Sequence, residues 1–198
     1  MLLWYYLVIM NNEKRKKRLL TREYLLRATY SYLQRFATTE KNLRLVLDRK
    51  VRRQLPEFDS EDLYIQAKVW IDEIVQKTVD QKLVNDRLFA EGRAASLIRS
   101  GHSKMKASQK LQAKGVAPDM VIEVIEELAE QYEDMDFAAA VKYVRKRRFG
   151  AFSLRHEATE VVEKELASMC RAGFSYGTAR KILKMTRSEL EEILYAAP

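Results

Sequence analysis

The chain is short of the residues that build most metal, redox and nucleophilic sites. A single cysteine, Cys170, allows no disulfide framework and no cysteine-based zinc site. It follows Met169 in an apolar-rich helical stretch, where a buried and inert thiol is the expected state. His102 and His156, the two histidines, lie too far apart in sequence to suggest a metal centre. Three prolines and six glycines in 198 residues are few, and no stretch shows sustained period-two alternation bounded by turns, so an all-α fold is the simple reading. There is no P-loop, no G-x-G-x-x-G and no G-x-S-x-G. The residues therefore give no reason to expect an enzyme, a metal or a cofactor.

What the chain has is charge. Lys and Arg number 36 against 28 Asp and Glu, a formal net charge of +8 with a pI near 9.5. That balance suits an acidic partner such as nucleic acid or a nucleoprotein. It also suits a soluble helical protein with charged outer faces, and charge alone leaves both readings open. The one long apolar run, Met1 to Met10, precedes Lys14-Arg15-Lys16-Lys17-Arg18. Ten residues are too short to span a bilayer, and a signal peptide has the opposite order of charge and apolar run. We expect translation to begin at Met10, with the basic run as a flexible arm; an interfacial anchor is the alternative.

A repeat organises the rest. Arg35-Phe36-Ala37-Thr38-Thr39, Arg99-Ser100-Gly101-His102-Ser103 and Arg171-Ala172-Gly173-Phe174-Ser175 align without gaps. Four residues after each Arg stands Thr39, Ser103 or Ser175, each a natural helix N-cap. Eight on stands Leu43, Ala107 or Ala179, and twelve on Leu47, Leu111 or Leu183. Upstream, Leu25, Phe89 and Val161 correspond, as do Leu33, Leu97 and Met169, so an apolar helical face ends at each Arg. Three copies of a helix–turn–helix unit follow. The expected organisation is a leader and basic arm at 1–20, then three-helix repeats at 21–80, 81–134 and 135–198, stacked as an elongated, curved array.

Within this frame Thr21 should cap the first helix, and Asp59 or Ser60 the third, beyond a loop over 54–60 that holds Pro56. Asp86 and Asp136 should open later helices, and Thr186 or Ser188 the last. From Gly92 to Pro118 no acidic residue occurs, while Arg93, Arg99, Lys104, Lys106, Lys110 and Lys114 do. Lys106, Lys110 and Lys114, spaced by four, line one helix face without the acidic i,i+4 partners of a merely solvated surface. A second basic run, Arg145-Lys146-Arg147-Arg148, closes another helix. By contrast Glu123, Glu126, Glu127, Glu130, Glu133 and Asp134 make the intervening stretch acidic and expected to face solvent. Arg35, Arg99 and Arg171 recur in every copy and are expected to cap carbonyls at their helix ends.

At the second copy, Asn85-Asp86-x-x-Phe89-Ala90, Ser103 and Lys114-Gly115-Val116 resemble the central signature of the RecX family. Leu33-x-Arg35 with Leu43-Arg44-x-x-Leu47, and Arg171-x-Gly173-Phe174-Ser175, fit the first and last signatures in the family's order. The resemblance covers about Thr21 to Leu183, with wording similar to alphaproteobacterial members. It implies three tandem three-helix repeats and a cytoplasmic, non-enzymatic regulator of RecA in DNA repair, homologous recombination and the SOS response. Such a regulator binds RecA filaments on single-stranded DNA, modulates and mostly inhibits their ATPase, co-protease and strand-exchange activities, and uses no cofactor; we expect no membrane association, and a monomer suits an array that docks along a groove. Arg99, Lys104, Lys106, Lys110 and Lys114, then Arg145, Lys146, Arg147 and Arg148, are the expected RecA- and DNA-binding residues. One departure stands out: the family commonly has Gly where this chain has Lys82, so either the preceding helix runs on or Lys82 adopts a strained angle. Two other readings stay open. One is a helix-turn-helix transcriptional regulator, which needs a helix reading base edges and a dimer. The other is a membrane-associated adaptor built on Met1–Arg18.

Overall fold

The computed structural model describes residues 19–55, 61–153 and 159–196. Among them every regular element is helical, and they divide into two compact units, residues 1–84 and 85–198. The leader, its basic arm, the expected caps Asp59 and Ser60, and His156 lie outside the described residues.

The first unit holds α1 (Arg22–Leu33), α2 (Glu40–Gln54) and α3 (Glu61–Asp80). Thr21 caps α1 as its spacing predicts, its hydroxyl accepting from the Tyr24 N–H at 3.1 Å. α2 extends through Gln54, one residue further than the loop expected from Pro56. Leu25, Leu43, Leu47, Val51, Ile71, Ile74 and Val75 form the core, the apolar faces read from the sequence. Across the α2–α3 seam Asp48 accepts from Arg52 at 2.8 Å and from the Tyr64 hydroxyl at 2.9 Å, and pairs with Lys68 at 3.1 Å.

The exit of α3 resolves the Lys82 question. The helix stops at Asp80, the Lys82 N–H donates to Val79 O at 2.8 Å, and the Leu83 N–H donates to Thr78 O at 2.9 Å. This paired closure puts a residue in the left-handed region, and Lys82 occupies it with φ +56°. A side chain there costs about 1 kcal/mol relative to glycine.

The second unit holds α4 (Asp86–Arg99), α5 (Lys104–Ala113), α6 (Pro118–Ala129), α7 (Met135–Arg147), a 3-10 turn (Gly150–Phe152), α8 (Thr159–Arg171), α9 (Tyr176–Leu183) and α10 (Arg187–Ala196). One core joins them, running from Ala90, Leu97 and Leu111 through Val141 and Val144 to Met169, Ile182 and Leu190. α4, α5 and α6 pack on one another, whereas α7 packs on α4, α9 and α10 and so ties the second and third repeats together. The three aligned caps all form. Thr39, Ser103 and Ser175 accept from the N–H groups of Asn42, Lys106 and Thr178 at 3.1, 3.2 and 3.0 Å.

Three sequence expectations need correction. Asn85, not Asp86, caps α4, its Oδ1 accepting from the Leu88 N–H at 3.0 Å. Asp134, not Asp136, caps α7, accepting from the Phe137 N–H at 2.9 Å. In both pairs of neighbouring acceptors only the residue with extended backbone angles can reach back to the helix N–H groups. Cys170 is exposed, because the inward side of α8 follows Glu165 and Met169, and Cys170 sits one step around the helix from that line. The acidic face of α6 is exposed as expected, and Arg87 of α4 pairs with Glu123 and Glu127 at its surface.

Candidate functional site

The site grows from the turn between α4 and α5. Gly101 and His102 close α4, their N–H groups donating to Ile98 O at 2.9 Å and Leu97 O at 3.1 Å. Gly101 has φ +84°, and a Cβ on it would meet the backbone nitrogen of Tyr143 at 2.9 Å and the carbonyl oxygen of Ala139 at 3.2 Å. Only a residue without a side chain allows the turn to lie this close to α7. Ser103, fully buried, fixes the other side by donating to Ala172 O at 2.6 Å while capping α5. Asp136, at the start of α7, accepts the Lys104 N–H at 2.7 Å. Burial pushes the Asp136 carboxyl up, against the lowering effect of that N–H and of the Lys104 charge.

This packing brings side chains of α5 and of the C-terminal half of α7 onto the walls of one cleft, and with them the two basic stretches. A cleft of about 300 Å³ is lined by Ser100, Gly101, His102, Lys106, Lys110, Tyr143, Lys146, Arg147 and Ala172. A second, of about 460 Å³, is lined by Arg99, Ser100, Lys142, Arg145, Lys146 and Leu194. Ser100 and Lys146 belong to both. Tyr143 is held by edge contacts with Phe149 and Phe174, at ring separations of 6.1 and 5.4 Å, and its hydroxyl lies 3.2 Å from Ser168 Oγ. Arg147 lies over the Phe149 ring at 5.5 Å.

Among the described residues, no carboxylate pairs with Lys106, Lys110, Lys146 or Arg147. His102 records the resulting field. Burial first, then the charges of Lys110, Lys146 and Arg93, hold its imidazole below the ordinary value, against the opposing contact with Leu97 O. Four cations without a carboxylate partner around a concave surface attract phosphate oxygens and exclude other cations. Among the described residues no group of three or more His, Cys, Asp or Glu is placed to hold a metal ion.

Of the nine residues expected from the sequence, Lys106, Lys110, Lys146 and Arg147 meet in the first cleft and Arg99, Arg145 and Lys146 in the second. Lys104, Lys114 and Arg148 line neither. Lys104 begins α5 and Lys114 ends it, while Arg148 holds the left-handed position that closes α7, with φ +57°. Sequence reasoning missed His102, Tyr143 and Lys142. Lys142 carried a usable signal, since it precedes Lys146 by four on one helix face; His102 carried none, because only the turn folds it among lysines. Arg35 does cap its helix, donating to Ser31 O at 3.0 Å, whereas Arg99 lines the second cleft.

Three-helix units joined in tandem, with a cationic cleft, define a class of all-helical repeat proteins. Comparison with known proteins narrows it. Residues 85–125 match the model for the RecX second three-helix domain. Regulatory protein RecX of Myxococcus xanthus is 35% identical over 161 residues, 81% of this chain and 84% of that protein. Regulatory protein RecX of Agrobacterium fabrum is 34% identical over 166 residues, 84% of this chain and 85% of that protein. The crystal structure of RecX from Lactobacillus salivarius superposes with a TM-score of 0.54 at 19% identity, covering 86% of this chain and 97% of that one, a likeness of fold. The chain belongs to the RecX family. Its relatives are named as regulatory proteins, and no helix among the described residues is long and apolar enough to cross a membrane.

Proposed function

We propose that this chain is a non-enzymatic, monomeric and cytoplasmic regulator that binds RecA filaments on single-stranded DNA and lowers their ATPase, co-protease and strand-exchange activities. The observation that carries this reading is the convergence of α5 and the end of α7 on one cleft lined by Lys106, Lys110, Lys146 and Arg147. Such a surface recognises phosphates without reading bases, which suits a nucleoprotein whose DNA sequence varies. Membership of the RecX family supports the regulatory role. Arg99 and Arg145 extend the contact through the neighbouring cleft, and Lys104, Lys114 and Arg148 add longer-range attraction.

The test is ATP hydrolysis by the cognate RecA on single-stranded DNA, titrated with this protein at low and moderate salt. A fall in rate at less than one regulator per RecA is expected. Replacing Lys106, Lys110 and Lys146 together by Glu should raise the concentration needed for half inhibition by about tenfold or more. If four phosphates are contacted, the salt dependence of single-strand binding should have a log–log slope of about −3. An unchanged rate in the presence of excess folded protein refutes the proposal.

A further inference from the structure

Building on that reading, we propose that the cleft around His102 is a phosphodiester pocket, and that His102 takes up a proton as a nucleic-acid strand enters it. The ligand then creates a further cation beside itself, one that the free protein does not carry.

The ring is anchored on one side only. His102 Nδ1 lies 3.2 Å from Leu97 O and 3.0 Å from Ser100 Oγ, and Ser100 Oγ itself donates to Leu97 O at 2.8 Å. A carbonyl oxygen only accepts, so the Nδ1 that faces it carries the hydrogen. Nε2 is left as the nitrogen that gains or loses a proton. In the neutral ring Nε2 is an acceptor, which a phosphate oxygen would repel; protonated, it is a donor to that oxygen.

The charged surroundings set when each state occurs. Arg93 comes from α4, Lys106 and Lys110 from α5, and Lys146 and Arg147, with Tyr143, from α7. No described acidic side chain lines the cleft. In the free protein these cations disfavour a further positive charge, and partial burial acts in the same direction. A phosphodiester brings one negative charge, offsets the cations and accepts the Nε2–H, so the bound state holds the proton more tightly. By linkage, affinity must then rise as pH falls through the range between the free and bound protonation midpoints. One linked proton limits the effect to about tenfold per pH unit.

The experiment uses the full chain and a fluorescent single-stranded oligothymidine, whose bases do not titrate in this range. Binding is measured at about pH 6 and about pH 8, either side of the ordinary imidazole midpoint of about 6.5. In parallel, NMR follows the imidazole signals of the two histidines, assigned with His102→Gln. Wild type should bind several-fold more tightly at the lower pH. His102→Gln should lose most of that gain between the two pH values. The His102 midpoint should rise by about half a pH unit or more with saturating oligonucleotide, and much less with inorganic phosphate at equal phosphate concentration.

A midpoint unmoved by bound oligonucleotide overturns the proposal, as does an equal pH dependence in His102→Gln. An equal rise with inorganic phosphate assigns the pocket to free phosphate and overturns the strand. Failure of wild type to bind the oligonucleotide at either pH also overturns it, while inhibition of RecA ATPase judges the regulatory reading separately.

Discussion

Replacing Gly101 by Ala is the sharpest single test of how the cationic cleft is built. The added methyl meets two independent penalties. At φ +84° an L-residue pays about 1–2 kcal/mol for the left-handed conformation. Its Cβ would also lie 2.9 Å from the Tyr143 nitrogen and 3.2 Å from the Ala139 carbonyl oxygen, both in the backbone of α7 and unable to rotate away. Relief requires α7 or the turn to move by a few tenths of an ångström, and overpacking of this kind costs about 1–3 kcal/mol. Together the loss is roughly 2–5 kcal/mol, against a total stability of about 5–15 kcal/mol for an ordinary domain. Urea unfolding, followed by circular dichroism and by the fluorescence of an extrinsic label in residues 85–198, should show the midpoint of that unit lowered. The unit of residues 1–84 should be unaffected. Because Lys146 and Arg147 ride on α7, oligonucleotide binding should weaken in the same variant even where it remains folded. A change below about 0.5 kcal/mol, the scale of an ordinary surface substitution, with binding intact, would refute the argument that this turn and α7 are pressed together.

Lys82→Gly should stabilise the first unit by about 1 kcal/mol, because the left-handed exit of α3 then carries no side-chain penalty; an unchanged or lower urea midpoint contradicts this. Ser103→Ala removes both the α5 cap and the bond to Ala172 O, and should cost about 1–3 kcal/mol in the second unit by the same assay. Asp48 gives a pH signature. Burial pushes its carboxyl up, but hydrogen bonds from Arg52, Tyr64 and Lys68, with the Lys68 charge, outweigh it and hold the group down at about 2. Its contribution is therefore complete above the unfolded value of about 4 and disappears as pH falls through about 2. Asp48→Asn should cost about 1 kcal/mol at neutral pH, with the exposed partners screened by solvent, and the gap to wild type should close in acid; a gap that stays constant with pH rules out the ion-pair account.

Much of the architecture is legible in the residues. The repeat at Arg35, Arg99 and Arg171 located three helix ends and three N-caps, because capping depends on a hydroxyl one step outside a helix and not on what lies across from it. The apolar spacing named the core-facing side of nearly every helix for the same local reason. Both basic stretches were also apparent, since a run without carboxylates needs no structure to be seen.

The tertiary structure decided the rest. Left-handed exits at Lys82 and Arg148 depend on how the following segment must turn: at Lys82 the resemblance left two outcomes open, and at Arg148 residue type gives no sign. Asn85 and Asp134 cap in preference to Asp86 and Asp136 because the path of the backbone, not the acidity of the side chain, selects the acceptor. Cys170 faces outward by a single step around α8. Above all, Lys106 and Lys146 are forty residues apart in sequence and share a cleft only because glycine at position 101 lets the α4–α5 turn press against α7. His102 becomes chemically distinctive in that same step, since burial, and then charges that reach it from three different helices, hold its imidazole below the ordinary value. Charge density is a property of the sequence; the concentration of that charge around one imidazole belongs to the fold.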